Sequence, residues 1–432
     1  MGRTSWSNWA GNVTADPIAI HMPRDEDEVV RIVSSAAGRG EKVRVVGAGH
    51  SFTPVAATDG HLVSLDALSG IRSIDRENGL VTVGAGTRLW RLNEMLAAEG
   101  LAMANLGDIA YQSVAGAIST STHGTGQSLT GLAAQVRGMR LVDGHGRVRQ
   151  TNEVLDPGIL DVARVSVGAL GVITEVTIKV VESFLLKAEE RPMRLDEILG
   201  DVDRLRIEND HFEFFWVPHT DFALTKQNNR TDLPLDPLPK VRGWFDKVFM
   251  ENHAFGALCR LGRARPALIP RLAKVVGAAG SRTYVEQSHK VFASPRLVRF
   301  YEMEHAIPVE AIVPALTDLR RMIERRGHLL NFPVEVRFTA ADDIPLSTSF
   351  GRQSAYIAVH VFQGMDPHTF FGDVEDVMRA HDARPHWGKM HSREHGELST
   401  LYPRWRDFIS MRDRLDPDRT FSNPHMERIF GA

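Results

Sequence analysis

Apolar positions along this chain follow two spacings, helical and strand-like, and the way they are mixed changes partway through. In residues 25–38 the acids Asp25-Glu26-Asp27-Glu28 precede Val29, Val30, Ile32, Val33 and Ala36, with Gly38 and Gly40 behind them. Acids suit a helix N-terminus and glycine its end, so the spacing predicts a helix here. Strands are predicted near 43–46, 62–65 and 80–84. A helix is predicted over 88–99, carried by Leu89, Leu92, Met95 and Leu96 and closed by Gly100, and a strand over 171–180, rich in Val172, Ile173, Val176 and Ile178. Up to about Val181, short strands alternate with single helices and glycine turns.

From about 182 the character changes. Charged helical segments, 196–206 and 308–325, alternate with strand-like runs at 212–217, 297–303, 334–338 and 355–362. Helices covering one face of a mainly antiparallel sheet would make an α+β layer. The Pro-, Asn- and Lys-rich stretch 227–243 reads as a mobile loop. There is no internal repeat and no low-complexity tract.

Composition narrows the function classes. The chain has 432 residues, 43% of them hydrophobic and 24% charged, which is ordinary globular composition and length enough for two domains. A formal net charge of −3 and the lack of a long basic run make nucleic acid an unexpected partner. The basic stretch 260–271, broken by Gly, Pro and Leu, reads as a solvated helix face. One cysteine, Cys259, excludes an intrachain disulfide framework and a multi-cysteine zinc site, and fits a reducing compartment. The start Met-Gly-Arg-Thr-Ser-Trp has no apolar core of a signal peptide, and Trp6 stands where a myristoylation pattern needs Ser or Thr. No run of about 18 apolar residues occurs. A cytoplasmic protein without a membrane span is expected.

The chemistry-bearing segments begin with Val46-Gly47-Ala48-Gly49-His50-Ser51-Phe52, where a strand runs out into a glycine turn. Such a turn brings backbone N–H groups close to a ligand, as in anion-binding nests. A dinucleotide fingerprint would need glycine at 52, and a loop rather than a helix follows. A nicotinamide dehydrogenase is therefore a poor match, although Asp66 lies near the distance of an acidic ribose ligand. A second segment of small residues runs through Asn105-Leu106-Gly107-Asp108, Ser113-Val114-Ala115-Gly116-Ala117 and Ser121-Thr122-His123-Gly124-Thr125-Gly126. It leaves room for a large planar ligand and offers short donors to phosphate oxygens. In Phe332-Pro333-Val334-Glu335-Val336-Arg337-Phe338, strand spacing puts Glu335 and Arg337 on one face and Val334, Val336 and Phe338 on the other. Such a pair is either a plain same-face ion pair or a patch that holds sugar-like hydroxyls. His360, in an otherwise apolar strand, is either a satisfied core histidine or a base. Lys389 closes Arg384-Pro385-His386-Trp387-Gly388-Lys389. His381, His386 and His391 fall at intervals that match neither a helix nor a strand face, so no metal site is expected.

Together these segments resemble the vanillyl-alcohol-oxidase type of FAD-binding domain. Within it the resemblance is to the aldonolactone oxidases and dehydrogenases, and next to the alditol oxidases, from Asn8-Trp9-Ala10-Gly11-Asn12 to Leu415-Asp416-Pro417-Asp418. It implies a two-domain α+β fold: a PCMH-type FAD-binding domain over 1–181, an α+β cap domain over the flavin at 182–411, and a C-terminal return at 412–432. It also implies FAD attached covalently through His50, against the plainer alternative of a loop histidine that only hydrogen-bonds backbone. Val46, Gly47, Ala48, Gly49, Ser51, Phe52, Gly107, Ser113, Gly116, Ala117, Thr122, His123 and Gly124 are implied as further cofactor contacts, with Ile173 toward the adenine end and Lys389 near the flavin. The implied catalytic residues are Glu335 and Arg337 on the substrate hydroxyls, His360 as base with Glu335 as the alternative, and Lys389 stabilising charge. Asp108 stands where alditol oxidases carry a serine and would be a charged acceptor beside the reacting carbon. Gly107 leaves the flavin edge reachable by oxygen. The implied reaction is oxidation of L-gulono-, L-galactono- or D-arabinono-1,4-lactone at the C2 hydroxyl, with hydride passing to flavin N5 and electrons to oxygen or another acceptor. An alditol oxidase is the runner-up. A non-catalytic nucleotide-binding module would leave Glu335, Arg337 and Lys389 idle.

Overall fold

The computed structural model describes residues 5–276, 280–294 and 296–432. Helix α1 (Glu26–Gly38) begins as the acids predict: the Asp25 side chain accepts from the Glu28 N–H at 2.8 Å, and Val29, Val33 and Ala36 turn into the core. Strands β1 (Ala19–His21), β2 (Val43–Val46) and β3 (His61–Ser64) form a parallel sheet in the order β1-β3-β2. Strands β4 (Ile71–Asp75), β5 (Leu80–Gly84), β6 (Val136–Val142), β7 (Val148–Asn152) and β8 (Val172–Lys179) form an antiparallel sheet in the order β7-β6-β8-β5-β4. The edge strand β4 was not anticipated, because none of its residues is fully buried and its alternation is faint. Helices α2 (Leu89–Ala98) and α3 (Val114–Ser119) complete this half.

The second half is built on eight antiparallel strands. They are β9 (Leu185–Arg194), β10 (His211–Trp216), β11 (Phe222–Thr231), β12 (Arg282–Gln287), β13 (Phe300–Pro308), β14 (Val334–Thr339), β15 (Ser354–Phe362) and β16 (Arg384–Pro385), in the order β12-β9-β11-β10-β14-β15-β13-β16. One face of this sheet (Phe212, Phe214, Val334, Val336, Phe338, Ile357 and Val359) shares a core with helices α4 (Ile312–Arg326) and α5 (His368–Arg379). Strand periodicity then turns Glu213, Glu335, Arg337 and His360 to the opposite face.

Four expectations need correction. The stretch 227–243 is not one loop: its first part belongs to β11, paired on both sides by β9 and β10. Its polarity misled because one face of that strand is built for charge, Lys226 included. The strand placed at 297–303 is β13, three residues later, with Leu297 exposed. The helix expected from 308 starts at Ile312, since Pro308 ends β13 and a single tight turn intervenes. The segment 196–206 is two short helices, Leu195–Gly200 and Val202–Glu208, meeting at Asp201.

The chain end packs back on the first core from Trp387 onward, through Leu398, Tyr402, Trp405, Phe408, Phe421 and Phe430. Arg44 on β2 ties this return down. Its guanidinium is 2% exposed and donates to the carbonyls of Val55 (2.8 Å), Val167 (3.0 Å), Gly168 (3.2 Å) and Phe421. Replacing it leaves buried carbonyls unpaired, at about 1–3 kcal/mol for each that finds no water. Arg44→Met should therefore lower stability by about 3 kcal/mol or more, read as a lower Tm with unchanged far-UV circular dichroism before the transition. An unaltered Tm would show that water replaces the guanidinium there.

Candidate active site

Strand β2 delivers the glycine loop to the mouth of a narrow groove of about 90 Å³. Val46, Gly47, Ala48, Gly49, His50 and Ser51 line it, facing Ser113, Gly116, Thr120 and Ile173. Gly49 has φ +68°, a conformation that side chains disfavour. A Cβ on Gly47 would overlap Ser113 Oγ, the atom that caps α3 by accepting from the Gly116 N–H at 3.2 Å. The backbone N–H groups of Ala48, Gly49, His50 and Ser51 have no acceptor among the described residues. Successive unpaired amides around a positive-φ glycine form an anion nest, the donor set that a pyrophosphate needs.

The groove opens into a larger cavity of about 400 Å³, and His50, Ser51, Gln112 and Thr120 line both. His50 stacks between Trp9 and Tyr111, with ring centroids 5.4 Å and 6.5 Å away. No hydrogen bond holds its ring among the described residues, so the plainer alternative for this histidine finds no partner. Burial, then the charges of Lys389 and Arg88, pull its pKa down to about 4, leaving a neutral imidazole near pH 7.

The cavity floor is charged. Arg337 on β14 pairs with Glu335, with Glu213 (Nε–Oε2 2.8 Å) and with Asp108 (3.4 Å). Asp108 also accepts from Arg296 (2.7 and 3.2 Å), and Glu213 pairs with Lys226 at 3.2 Å. Burial would raise the Asp108 carboxyl, but Arg337 and Arg296 outweigh it and hold the group well below its usual range. Glu335 goes the other way. Burial raises it, Arg337 only partly offsets that, and the neighbouring carboxylates of Asp108 and Glu213 push further, to about 7.

A second charged group adjoins the first. Glu302 and Glu304 project from β13 at i and i+2. Glu302 pairs with Lys389 and lies 3.6 Å from His360 Nε2, while Glu304 lies 3.2 Å from His123 Nε2. The loop carrying Lys389 is pinned to the same strand: His386 N–H donates to the Glu304 carbonyl (3.0 Å) and Met390 N–H to that of Glu302 (2.9 Å). Lys389 Nζ sits 5.2 Å from the centre of the Phe52 ring. His123, Glu304 and His386 have the spacing of a metal site. His386 Nδ1, however, accepts from the Gly388 N–H at 3.1 Å, which leaves the proton of the neutral ring on Nε2 and no lone pair there for a metal.

The structure thus gathers Asp108, Glu335, Arg337, His360, Lys389, Gly107, Thr122, His123 and Phe52 around one cavity, beside His50. Two implied cofactor contacts are placed elsewhere. Ala117 is fully buried in the core beneath the groove, and Gly124 is packed against the Leu106 carbonyl and Asn105. Asp108, implied as a charged acceptor beside the reacting carbon, has its carboxylate turned onto two arginines. Sequence reasoning missed Glu213, Lys226, Arg296, Glu302 and Glu304. Strand spacing within Phe300-Tyr301-Glu302-Met303-Glu304 carried the same signal as Glu335 and Arg337, but the strand had been placed too early.

Comparison with known proteins agrees with this geometry. An FAD binding domain family matches residues 17–152 and the D-arabinono-1,4-lactone oxidase family matches residues 176–429. The protein is an FAD-dependent oxidoreductase. The chain belongs to the aldonolactone oxidase and dehydrogenase family. It is 42% identical over 429 residues to the L-gulono-1,4-lactone dehydrogenase of Mycobacterium tuberculosis, covering 99% of both chains. It is 32% identical to the L-gulonolactone oxidase of Scyliorhinus torazame, covering 98% of both. These relatives do not favour the alditol alternative. The fold is similar to that of cholesterol oxidase from Brevibacterium sterolicum, with a TM-score of 0.85 at 18% identity and coverage of 99% of this chain and 97% of that one.

Arg337 touches three carboxylates, and charge-assisted hydrogen bonds contribute about 1.5–3 kcal/mol each. Arg337→Ala should lower kcat/KM roughly ten- to a hundredfold with the flavin spectrum intact. Unchanged kinetics in that variant would reduce the cluster to a structural ion pair.

Proposed function

We propose that this protein oxidises an aldono-1,4-lactone at its C2 hydroxyl, with FAD joined covalently to His50. The observation that carries this is the junction: His50 belongs to the amide nest and, at the same time, lines the charged cavity. Bound FAD supplies a hydride acceptor for the C2 hydrogen. Arg337 and Arg296 donate to the ring carbonyl and hydroxyls, while Glu335 accepts. Lys389, half-buried and kept cationic by Glu302, offsets negative charge that develops as the alcohol is oxidised.

Glu335 is the better base. Burial lowers the pKa of His360, but Glu302 more than compensates, so the imidazole is held above its usual value. Its Nδ1 also faces the Pro333 carbonyl at 3.1 Å, so that nitrogen donates. The higher its pKa is held, the smaller the share of the imidazole with a lone pair free for a substrate proton. A carboxyl group near 7, touching Arg337, can take one. Asp108, already paired with two arginines, lacks the neutral give-and-take of a hydroxyl that an open polyol calls on. Gly107 is on the cavity wall, where a Cβ would crowd the His123 carbonyl at 3.1 Å. A cytoplasmic setting accords with a lone, buried Cys259 whose thiol burial pushes up to about 12. No helix among the described residues is long and apolar enough to cross a membrane.

Two outcomes follow. After acid precipitation the yellow colour should stay with the wild-type protein, and in His50→Ala it should move to the supernatant; flavin released from the wild type would sink the covalent bond. Because the base must be ionised, kcat/KM should rise with pH through about 7 and then level off. Glu335→Gln should lose that limb. If the limb survives in Glu335→Gln and vanishes in His360→Asn, the base is His360.

A further inference from the structure

The cavity has two ends of opposite character, and the proposed lactone uses only one. Along β10 the inward positions run from Glu213 through Phe215 to Val217. On β11 they run from Lys226 through Leu224 to Phe222, and on β14 from Arg337 through Glu335 to Pro333. Strand β13 repeats the gradient, from Glu304 and Glu302 to Phe300 and then Val298. The registers stagger these changes, with Glu335 level with Phe215 and Leu224 and with Glu304 across β15, so the boundary runs diagonally over the sheet, with charge on one side of it and apolar side chains on the other.

The apolar arm is roofed by Met250, by Phe255 and Leu258 of the helix Phe255–Ala264, and by Val275. Met250 and Val275 line the arm and are also 47% and 63% exposed, so the arm reaches the surface. Aromatic rings carry it inward: Phe255 meets Phe332 (4.9 Å between centroids), Phe332 meets Phe300 (5.4 Å), Phe300 meets Trp9 (5.3 Å), and Trp9 meets His50 (5.4 Å). The side chains of Phe255, Leu258, Phe300 and Phe332 offer a polyhydroxylated lactone no hydrogen bond, and burying its hydroxyls against them would carry a desolvation cost. A flat, apolar ring suits stacked and edge-on aromatic contacts.

Building on the proposed lactone oxidation, we infer that this arm binds the oxidant, a substituted quinone, separately from the lactone. The electron balance closes. The alcohol carbon becomes a carbonyl as the lactone gives up two electrons and two protons, and the quinone takes up two of each and leaves as the hydroquinone. The charged floor serves the alcohol and the aromatic arm serves the acceptor.

The holoenzyme should bind a short-chain benzoquinone saturably in calorimetric titration, with the Kd moved less than twofold by a saturating lactone that lacks the C2 hydroxyl and cannot be oxidised. Leu258→Glu should weaken that binding at least tenfold and lower quinone-dependent turnover, while anaerobic flavin bleaching by lactone stays within twofold of wild type. Met250→Glu, at a position already half exposed, should act in the same direction and covers the case in which Leu258→Glu does not fold. Quinone binding that neither variant changes, complete displacement of quinone by the unoxidisable lactone, or no saturable binding would each overturn the acceptor site. A wild type bleached by no lactone would instead overturn the proposed substrate, and the titration would still decide the arm.

Discussion

Arg337 is the constraint around which the cavity is built. Its guanidinium is held by Glu335, Glu213 and Asp108, three carboxylates brought from two strands of the large sheet and from the small-residue segment of the first half. None of these groups would tolerate the site alone, since a buried charge without its partner costs several kcal/mol. Because Asp108 also binds Arg296, and Glu213 binds Lys226, the charges balance as three acids against three bases. That balance is uneven locally. Asp108 sits between two arginines and stays ionised, whereas Glu335 has Arg337 on one side and carboxylates nearby, and is lifted toward neutrality. Two carboxylates with different tasks therefore arise from one cluster.

The same contacts join the two halves of the chain. Gly126 N–H donates to the Phe338 carbonyl at 2.8 Å, His211 Nδ1 meets the Thr125 carbonyl at 2.9 Å, and Phe52 N–H donates to the Gly388 carbonyl at 2.7 Å. The groove and the charged floor are positioned by backbone bonds and not by side chains alone. An enzyme that must hold an alcohol within reach of a cofactor needs such fixed geometry, because small misplacements are costly in rate.

Strand periodicity made the Glu335 and Arg337 pair legible, and it would have shown Glu302 and Glu304 had β13 been placed correctly. The capped helix at 26–38 and the glycine loop at 47–52 were equally plain, since caps, acids and turn glycines act over a few residues. The polar strand β11 was hidden because strand propensity reflects a half-buried apolar face, and this one faces charge. The edge strand β4 was hidden by its exposure.

The sequence by itself determined the local chemistry: which loop can cradle an anion, which side chains share a strand face, and which family these segments resemble. It could not determine how charges from residues 108, 213, 226, 296, 335 and 337 compensate one another, because that depends on distances between segments far apart in the chain. Only the tertiary structure turned Asp108 onto two arginines, raised the pKa values of Glu335 and His360 for different reasons, and separated the cavity into a charged side and an aromatic one. The physical reason is common to all three. Burial multiplies the effect of every neighbouring charge, and the neighbours are chosen by the fold.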